Sequence, residues 1–372
     1  MLRKTFVLPS VILLLALASC ATPTPTQPAV PAEAPTVAPT EPVAAPTEVP
    51  APTTPALAGV QPPCTPENAT DPYPSGKIRL VIGTGGTGGV FYPYGGGIAR
   101  ILSEKMPNTE ATAEVTGGSV DNNKLLAKGE IDIGLSTLDS AFEASRGSGV
   151  YEDVGPVPLC AIANLYQSFI HVVALEESGI NTIEDMKGKR ISIGSAGSST
   201  EVAARRILEV AGINPDTDID RDNLGVSESV NAIKDRKIDA FFWIGGLPTA
   251  AVKDLVSTPG IKVKFIPTGQ YVDKLREKYG PLYVRTTLDK AIYNLEADVD
   301  GIGIGNAMLV NAKTNEQLVY DILKTIFDNL EEVRTIHPEA RKLSLEAAST
   351  GSSVPYHPGA IRFYTERGVW KP

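Results

Sequence analysis

Glycine and hydroxyl residues follow apolar segments at several points, and they are the groups in this sequence best suited to bind a ligand. The longest such stretch, GTGGTGGVFYPYG, occupies residues 83–95 and follows an apolar run that ends at Ile82. A strand that ends in glycines and continues as a helix leaves unpaired backbone N–H groups, with partial positive charge, at the helix N-terminus. The loop is therefore predicted to hold an anion or a polar ligand head, with hydroxyls from Thr84, Thr87 and Tyr92.

A second loop of similar build occurs in the second half of the chain. A predicted strand at 190–194 is followed by SAGSST at 195–200 and then by an amphipathic helix. In addition, residues 119–132 and 229–239 share a Ser-Val start, a basic turn and an Ile-Asp pair before an apolar strand. The two copies predict two lobes of similar construction.

Alternating strands and helices of this kind predict an α/β fold in which each lobe has a mostly parallel sheet flanked by helices. Ligand loops are expected at the strand C-termini, and a ligand cleft between the lobes is expected to close by a hinge motion. Residues 157–175 are interpreted as two strands in series at the hinge. A long helix from Asn315 to about Arg334 is predicted in the returning segment, whereas 271–305 has no clear pattern.

The N-terminal region predicts export. Arg3 and Lys4 precede an apolar run that ends in LASC at 17–20, which is typical of a secretory signal. Its resemblance to a lipobox implies cleavage before Cys20 and lipid on that thiol, and the alternative is an uncleaved anchor. Both place the protein outside the cytoplasm. Residues 21–63 are rich in Ala, Pro and Thr and predict an extended tether of roughly 130 Å, at about 3.1 Å per residue.

The predicted organisation has five parts. They are a lipoprotein signal peptide at 1–19, a lipidated cysteine and tether at 20–76, the first part of lobe 1 at 77–168, lobe 2 at 169–300 and the return to lobe 1 at 301–372.

Charge and composition disfavour several functions. The formal charge of −9 argues against nucleic-acid binding, which needs a basic surface. Cys64 and Cys160 either pair in an oxidising compartment or remain free. With no CxxC and no cysteine–histidine cluster in the sequence, no metal site is predicted. The sequence also has no GxSxG, and its three histidines are scattered, which argues against a serine hydrolase.

The first glycine loop also satisfies the dinucleotide-binding fingerprint, with Gly83, Gly85 and Gly88 at GxGxxG spacing. However, Pro93 interrupts the start of the helix, and nicotinamide cofactors are not normally available outside the cell. We therefore predict no cofactor.

Six segments in order resemble the TAXI-type extracytoplasmic solute-binding proteins of TRAP transporters, and they cover most of residues 78–370. These segments are the loop at 83–95, TGGSVDN at 116–122, GEIDIGLSTLD at 129–139, MKGKRISIGSAGSST at 186–200, KIDAFFWIGGLPTAAV at 237–252 and VPYHPGAIRFY at 354–364.

The resemblance implies a type II periplasmic-binding-protein fold that captures a small organic acid or amino acid, such as glutamate, glutamine or a 2-oxo acid, for a membrane permease. It also implies a set of ligand-facing residues. They are Thr84, Gly85, Thr87, Tyr92, Ser119, Asn122, Ser136, Asp139, Ser195, Ser198, Ser199, Thr200, Trp243 and Gly245.

Some of these residues also have a structural interpretation. Asp139 is equally suited to cap a helix. Trp243 has a core position as its alternative, but the glycines that end its strand favour the cleft. Ser198 to Thr200 can cap the following helix and bind a ligand at the same time. None of the four ligand loops, which are at 83–95, 116–123, 195–200 and 245–248, carries Lys or Arg. An anion would therefore be held by backbone N–H groups, hydroxyls and helix dipoles, with Glu201 directed away. A neutral or zwitterionic solute remains compatible with this pattern.

The sequence thus predicts a lipid-anchored, extracytoplasmic, two-lobed solute receptor that performs no chemistry. Its predicted partners are a small polar or anionic solute and the membrane subunits of a TRAP permease. Two alternatives stay open. One is an exported α/β enzyme, a transferase or oxidoreductase that uses the glycine loop. The other is a binding protein for an ABC importer or a sensor kinase.

Overall fold

The structure is a computed structural model, and it describes residues 63–371. The predicted signal peptide, Cys20 and most of the tether lie outside these residues.

The described chain alternates strands and helices. The strands are β1 (Ile78–Gly83), β2 (Thr109–Glu114), β3 (Ile133–Thr137), β4 (Leu159–Leu175), β5 (Arg190–Ser192), β6 (Asp220–Asp222), β7 (Ala240–Gly245), β8 (Val263–Phe265), β9 (Tyr283–Leu288) and β10 (Val299–Asn311). The helices are α1 (Phe91–Lys105), α2 (Ser119–Lys128), α3 (Leu138–Arg146), α4 (Ser199–Val210), α5 (Val226–Lys234), α6 (Ala250–Val256), α7 (Val272–Tyr279), α8 (Glu316–Asp328), α9 (Leu330–Val333), α10 (Leu345–Ala348) and α11 (Pro358–Glu366).

The strands form one mixed sheet whose two halves repeat the same arrangement. Its order is β2-β1-β3-β10-β4-β7-β5-β6, with β8 added to β4 and β9 added to β10. In one half β1 is parallel to β2 and β3, and β3 is antiparallel to β10. In the other half β5 is parallel to β6 and β7, and β7 is antiparallel to β4. We call the half built on β1–β3 lobe 1 and the half built on β5–β7 lobe 2. The predicted two-lobed α/β fold is confirmed.

The Ile-Asp pair that occurs in both repeated segments has the same structural role in each lobe. Asp132 donates its N–H to the Val81 carbonyl at 2.9 Å, and its Oδ2 accepts the Val81 N–H at 2.7 Å. Asp239 makes the same pair of contacts with Arg190, at 2.8 and 2.9 Å. In each lobe the aspartate of an Ile-Asp pair thus joins the start of the third strand to the first strand and fixes the register.

Two long strands cross between the lobes. Residues 157–175 were expected to be two strands, but β4 is a single strand of 17 residues, and it pairs with β10 of 13 residues. Both strands are almost entirely buried along their length, so no exposed turn interrupts them. The predicted boundaries at 168/169 and 300/301 fall inside these continuous strands, and the extent of each lobe along the chain stays a prediction.

Two other expectations are corrected. The predicted helix from Asn315 to Arg334 begins as expected, because the Asn315 side chain accepts the Leu318 N–H at 3.1 Å. The helix ends at Asp328, because Asn329 leaves helical geometry with φ −116° and ψ 31°. A separate short helix, α9, follows. The segment 271–305, which has no clear pattern in sequence, contains α7, β9 and the start of β10.

Apolar side chains fill the space on both faces of the sheet. Lobe 1 has one large core that includes Ile82, Leu135 and Tyr364. Lobe 2 has a core on each face of its sheet, and Phe241 and Phe242 point into opposite ones, as their alternation predicts.

The cysteine pairing that the sequence leaves open is present as a disulfide between Cys64 and Cys160, with 5.6 Å between the Cα atoms. Among residues 63–371, no helix is both long enough and apolar enough to cross a membrane.

Candidate functional site

A cavity lies where the carboxyl ends of the strands in both lobes meet the two crossing strands, which is where open α/β sheets bind ligands. It contains about 530 Å³ of empty space, part of it open to solvent. Its lining is formed by Gly85, Gly86, Gly89, Val90, Phe91, Gly117, Gly118, Ser119, Thr137, Tyr166, Ser168, Ser195, Ser198, Ser199, Thr200, Gly225, Val226, Trp243, Ile244, Gly245 and Asn306.

Five helices start at this cavity. The lining includes the N-cap residues of α1, α2, α3, α4 and α5, which are Val90, Gly118, Thr137, Ser198 and Gly225. The first N–H groups of a helix have no partner within it, and the helix dipole adds partial positive charge there. The lining of the cavity carries no Lys, Arg, His, Asp or Glu. The cavity is therefore suited to an anionic or hydrogen-bond-accepting group held by backbone N–H groups.

The serine-rich turn before α4 fixes the geometry of the lobe 2 side. Ser198 caps α4, since its Oγ accepts the Glu201 N–H at 3.1 Å. Thr200 Oγ1 accepts the Ile244 N–H at 3.2 Å and so joins α4 to the end of β7. Glu201 pairs with Arg205 at 3.7 Å and is not among the lining residues, in line with the expectation that it points away.

Aromatic rings form the apolar part of the lining. Trp243 lies at the end of β7, and its Nε1 donates to Thr249 Oγ1 at 3.0 Å. Its ring packs on Gly89 of lobe 1 so closely that a Cβ added at Gly89 would lie 2.8 Å from a ring carbon. Phe91 and Tyr166 complete this side. The indole therefore contributes to the cavity wall and to the contact between the lobes.

Trp243 is supported from behind by a buried histidine. His171 Nδ1 lies 3.2 Å from the Trp243 carbonyl, and its Nε2 lies 3.0 Å from the hydroxyl of Tyr293. That hydroxyl accepts the Thr249 N–H at 2.7 Å. Burial lowers the pKa of His171 to about 4. The neutral ring can donate from Nδ1 and accept at Nε2, and this satisfies the whole chain of contacts.

The two lobes touch each other beside the cavity. Ser195 Oγ donates to the Gly117 carbonyl at 3.1 Å, and the Asp121 N–H donates to the Gly197 carbonyl at 3.1 Å. Ser119 Oγ lies 3.2 Å from Ser199 Oγ. The glycine turn of one lobe and the serine turn of the other are thus hydrogen-bonded in this conformation.

A buried ion cluster joins α3 of lobe 1 to α4 of lobe 2. Arg206 contacts Asp139 Oδ2 at 3.4 Å, donates to the Tyr283 hydroxyl at 2.8 Å and also pairs with Glu143. The Tyr283 hydroxyl donates to Asp139 Oδ2 at 2.8 Å. Burial raises the pKa of Glu143, although the charge of Arg206 opposes this shift. The cluster connects to the cavity because Thr137 Oγ1 donates to Asp139 Oδ1 at 2.7 Å.

Eight of the fourteen residues expected to face the ligand lie in the cavity lining. They are Gly85, Ser119, Ser195, Ser198, Ser199, Thr200, Trp243 and Gly245.

The other six residues do not line the cavity. Four of them make hydrogen bonds or ion pairs within the protein, and two are exposed. Thr84 and Asn122 hold neighbouring segments together: Thr84 Oγ1 donates to the Glu114 carbonyl at 2.5 Å, and Asn122 Nδ2 donates to the Thr84 carbonyl at 2.8 Å. Asp139 belongs to the ion cluster. The Ser136 hydroxyl donates to the Thr137 carbonyl at 3.2 Å. The remaining two, Thr87 and Tyr92, are exposed to solvent.

Sequence reasoning missed the remaining lining residues. Eight of them lie in the six motifs, close in sequence to residues that were predicted to face the ligand. They are Gly86, Gly89, Val90, Phe91, Gly117, Gly118, Thr137 and Ile244. Gly225 and Val226 have a detectable signal, because Gly225 is the glycine before α5 and Val226 is the first residue of that helix. Tyr166, Ser168 and Asn306 had none, since they lie in the middle of the crossing strands.

Comparison with known proteins identifies a matching family and several similar structures. A model of the NMT1-like family matches residues 82–368. The chain is similar to the periplasmic aliphatic sulphonate binding protein SsuA from Escherichia coli, with 15% identity over 78% of this chain and 83% of that chain and a TM-score of 0.40. It is similar to a putative L-cystine ABC transporter from Listeria monocytogenes, with 15% identity, 75% and 98% coverage and a TM-score of 0.42. A structure described as a periplasmic transporter matches with 14% identity, 79% and 93% coverage and a TM-score of 0.48.

Proposed function

Because this chain belongs to the NMT1-like family, a periplasmic-binding-like family of solute-binding proteins, we propose that it is an extracytoplasmic solute receptor. It closes its two lobes around one small polar molecule and delivers that molecule to a membrane permease. The solute class is a small organic acid or amino acid, such as glutamate, glutamine or a 2-oxo acid.

The observation that carries the proposal is the cavity with five helix N-termini and no charged side chain in its lining. A carboxylate at such a position gains about 0.3–1 kcal/mol from each helix end, and up to about 2 kcal/mol when partly buried. Hydrogen bonds to a charged group contribute about 1.5–3 kcal/mol each. Three or four such contacts are sufficient for specific binding without an arginine.

Binding without chemistry is favoured over an exported enzyme. The lining has no carboxylate, imidazole, thiol or amine to serve as a general base or nucleophile. Within residues 63–371, no three His, Cys, Asp or Glu side chains are grouped to hold a metal ion. Turnover of a carboxylate substrate by the purified protein would contradict the proposal.

A thermal-shift panel of amino acids, hydroxy acids, oxo acids and dicarboxylates tests the solute class. Ligand that binds only the folded state stabilises it by RT ln(1 + [L]/Kd), or about 2.7 kcal/mol at a hundred times Kd. One member of the panel is expected to raise Tm in a saturable manner. A flat response to every carboxylate would overturn the solute class.

The variant Ser198→Leu places a bulky side chain in the cavity and removes the cap of α4, so it should abolish the ligand-dependent shift. Ser344→Leu is the matched control, because Ser344 caps the short helix α10 by accepting the Ala347 N–H at 3.1 Å and does not line the cavity. Both changes cost about 1 kcal/mol of helix capping, and only Ser198→Leu should lose the shift. Equal ligand shifts in the two variants would remove the serine turn from the site.

The transport system is proposed to be a TAXI-type TRAP transporter, on the strength of the six ordered motifs, and the chain is proposed to be anchored by lipid on Cys20. The NMT1-like match is compatible with the alternative of an ABC importer as well. The two systems use different energy sources. Uptake through the cognate permease in vesicles should need a cation gradient and no ATP for a TRAP system, whereas a requirement for ATP would identify an ABC importer.

A further inference from the structure

Asn306 lies at an irregular point where the two crossing strands pair. The register passes from Gly305 opposite Gln167 to Ala307 opposite Asn164, so β4 has an extra residue facing Asn306. Such a bulge leaves a backbone group of the longer strand without a ladder partner. Asn306 Nδ2 donates to the Tyr166 carbonyl at 2.9 Å and to Ser168 Oγ at 2.9 Å.

These contacts fix the orientation of the amide. The Tyr166 carbonyl can only accept a hydrogen bond, so the amide nitrogen must face β4, and the oxygen must point the other way. Among residues 63–371, Asn306 Oδ1 has no hydrogen-bond partner, although the side chain is only 1% exposed. Leaving a buried carbonyl unpaired is costly, so the site favours a ligand that supplies a donor.

Asn306 is part of the cavity lining, together with Tyr166 and Ser168. The helix N-termini on the same cavity offer hydrogen-bond donors, whereas Asn306 Oδ1 offers an acceptor from a side chain. A solute that uses both therefore carries an acceptor or anionic group and, a short distance from it, an N–H or O–H group.

We propose that Asn306 determines specificity by accepting a hydrogen bond from an amino, hydroxyl or amide group of the bound solute. This inference rests on the proposed function and narrows its solute class. Amino acids and hydroxy acids should bind, whereas 2-oxo acids and simple carboxylates that lack the donor should be discriminated against. A site built around a buried polar atom rejects ligands that leave that atom unpaired.

The test uses matched carboxylates that differ at one carbon. Calorimetry measures the affinity of the wild-type protein for each member of two series, and members are compared within a series. One series is glutamate, 2-hydroxyglutarate, 2-oxoglutarate and glutarate, and the other is alanine, lactate, pyruvate and propionate. The amino or hydroxy members are expected to bind at least about tenfold more tightly than the oxo and unsubstituted members of the same series.

Asn306→Leu should reduce that preference to within about threefold. Asn164→Leu is the matched control, because Asn164 also lies on a crossing strand and donates Nδ2 to a carbonyl but is not a lining residue. Its Oδ1 likewise has no hydrogen-bond partner in the described part of the chain. It should keep the wild-type preference. If Asn306→Leu does not fold, Asn306→Asp retains an acceptor oxygen and should increase the preference for the amino member over the hydroxy member, because a carboxylate attracts an ammonium group.

Each outcome decides a different point. Three results overturn the role of Asn306 and leave the proposed function intact. They are carboxylate binding with no preference for a donor, a preference that survives in Asn306→Leu, and an unchanged ratio of amino to hydroxy affinity in Asn306→Asp. Failure of every carboxylate in both series to bind overturns the proposed solute class, and the role of Asn306 with it.

Discussion

Replacing Arg206 tests whether the buried ion cluster stabilises the closed receptor. The Arg206 side chain is 8% exposed, and those of Asp139 and Glu143 are 2% and 15% exposed. Arg206→Met keeps most of the volume and removes the charge, so two carboxylates remain buried between α3 and α4. When the lobes separate, these carboxylates reach water. The penalty therefore falls on the closed, ligand-binding form.

The size of the effect follows from two estimates. Breaking a buried ion pair by removing one partner costs about 3–5 kcal/mol. The protein can limit this cost by protonating Glu143. From its ordinary pKa of 4.5, protonation costs about 3 kcal/mol at pH 7, at about 1.4 kcal/mol per pH unit. A penalty of about 3 kcal/mol on closure corresponds to a loss of solute affinity of about a hundredfold.

Calorimetric titration with the solute found in the thermal-shift panel measures this loss. The defect of Arg206→Met should shrink as the pH falls, by up to about tenfold per pH unit, because protonation of one carboxylate becomes less costly. Adding Glu143→Gln to the variant should recover part of the affinity at pH 7. Arg205→Met is the control, because Arg205 is the next residue on α4 and pairs with Asp216 on the surface of lobe 2 at 2.9 Å.

Wild-type affinity in Arg206→Met, or an equal loss in Arg205→Met, would refute a role for the cluster in closure. An affinity loss that does not change with pH would show that the uncompensated carboxylates are not its cause.

Three further predictions follow from the structure and sequence. Burial lowers the pKa values of His171 and His357 to about 4, against about 6.5 in the unfolded chain. The stability that these neutral histidines contribute is therefore fully present above pH 6.5 and is lost as the pH falls towards 4. His171→Gln should flatten the dependence of the urea midpoint on pH. An unchanged slope in this variant would show that His171 does not cause the loss of stability at low pH. Gly89→Ala should weaken solute binding at least about tenfold, because the added Cβ would collide with the Trp243 ring. Gly86→Ala is the control and should have a smaller effect, because a Cβ there has no atom within 4 Å. Calorimetry compares the affinities of the two variants. Cys20→Ser should move the protein from the membrane fraction to the soluble fraction, and retention in the membrane would argue for an uncleaved anchor.

The local architecture could be predicted from sequence because its signals are local. A strand that ends in glycine or serine before a helical pattern identifies a ligand loop, and the repeated Ile-Asp pair indicates two lobes of similar construction. The serine turn at 195–200 illustrates this: the residues that cap α4 and those that line the cavity belong to the same short segment.

A motif by itself does not show which of two adjacent residues faces the ligand. Thr84 and Gly85 are consecutive, yet Thr84 turns inward to bond Glu114 and Gly85 faces the cavity. Asp139 follows Thr137 by two residues and lies in the ion cluster instead. The direction of each side chain depends on the strand register and on the packing of the second lobe, and neither is encoded within the motif itself.

The sequence by itself determined that glycine and hydroxyl loops would end parallel strands in two similar α/β lobes, since periodicity and turn residues act over a few positions. Only the tertiary structure decided which of those groups share one cavity. It also placed Asn306 opposite the bulge of β4 and Arg206 against α3. Those relations arise from pairing between residues more than sixty positions apart in the chain, and burial of the two crossing strands, not any local pattern, brings such residues together.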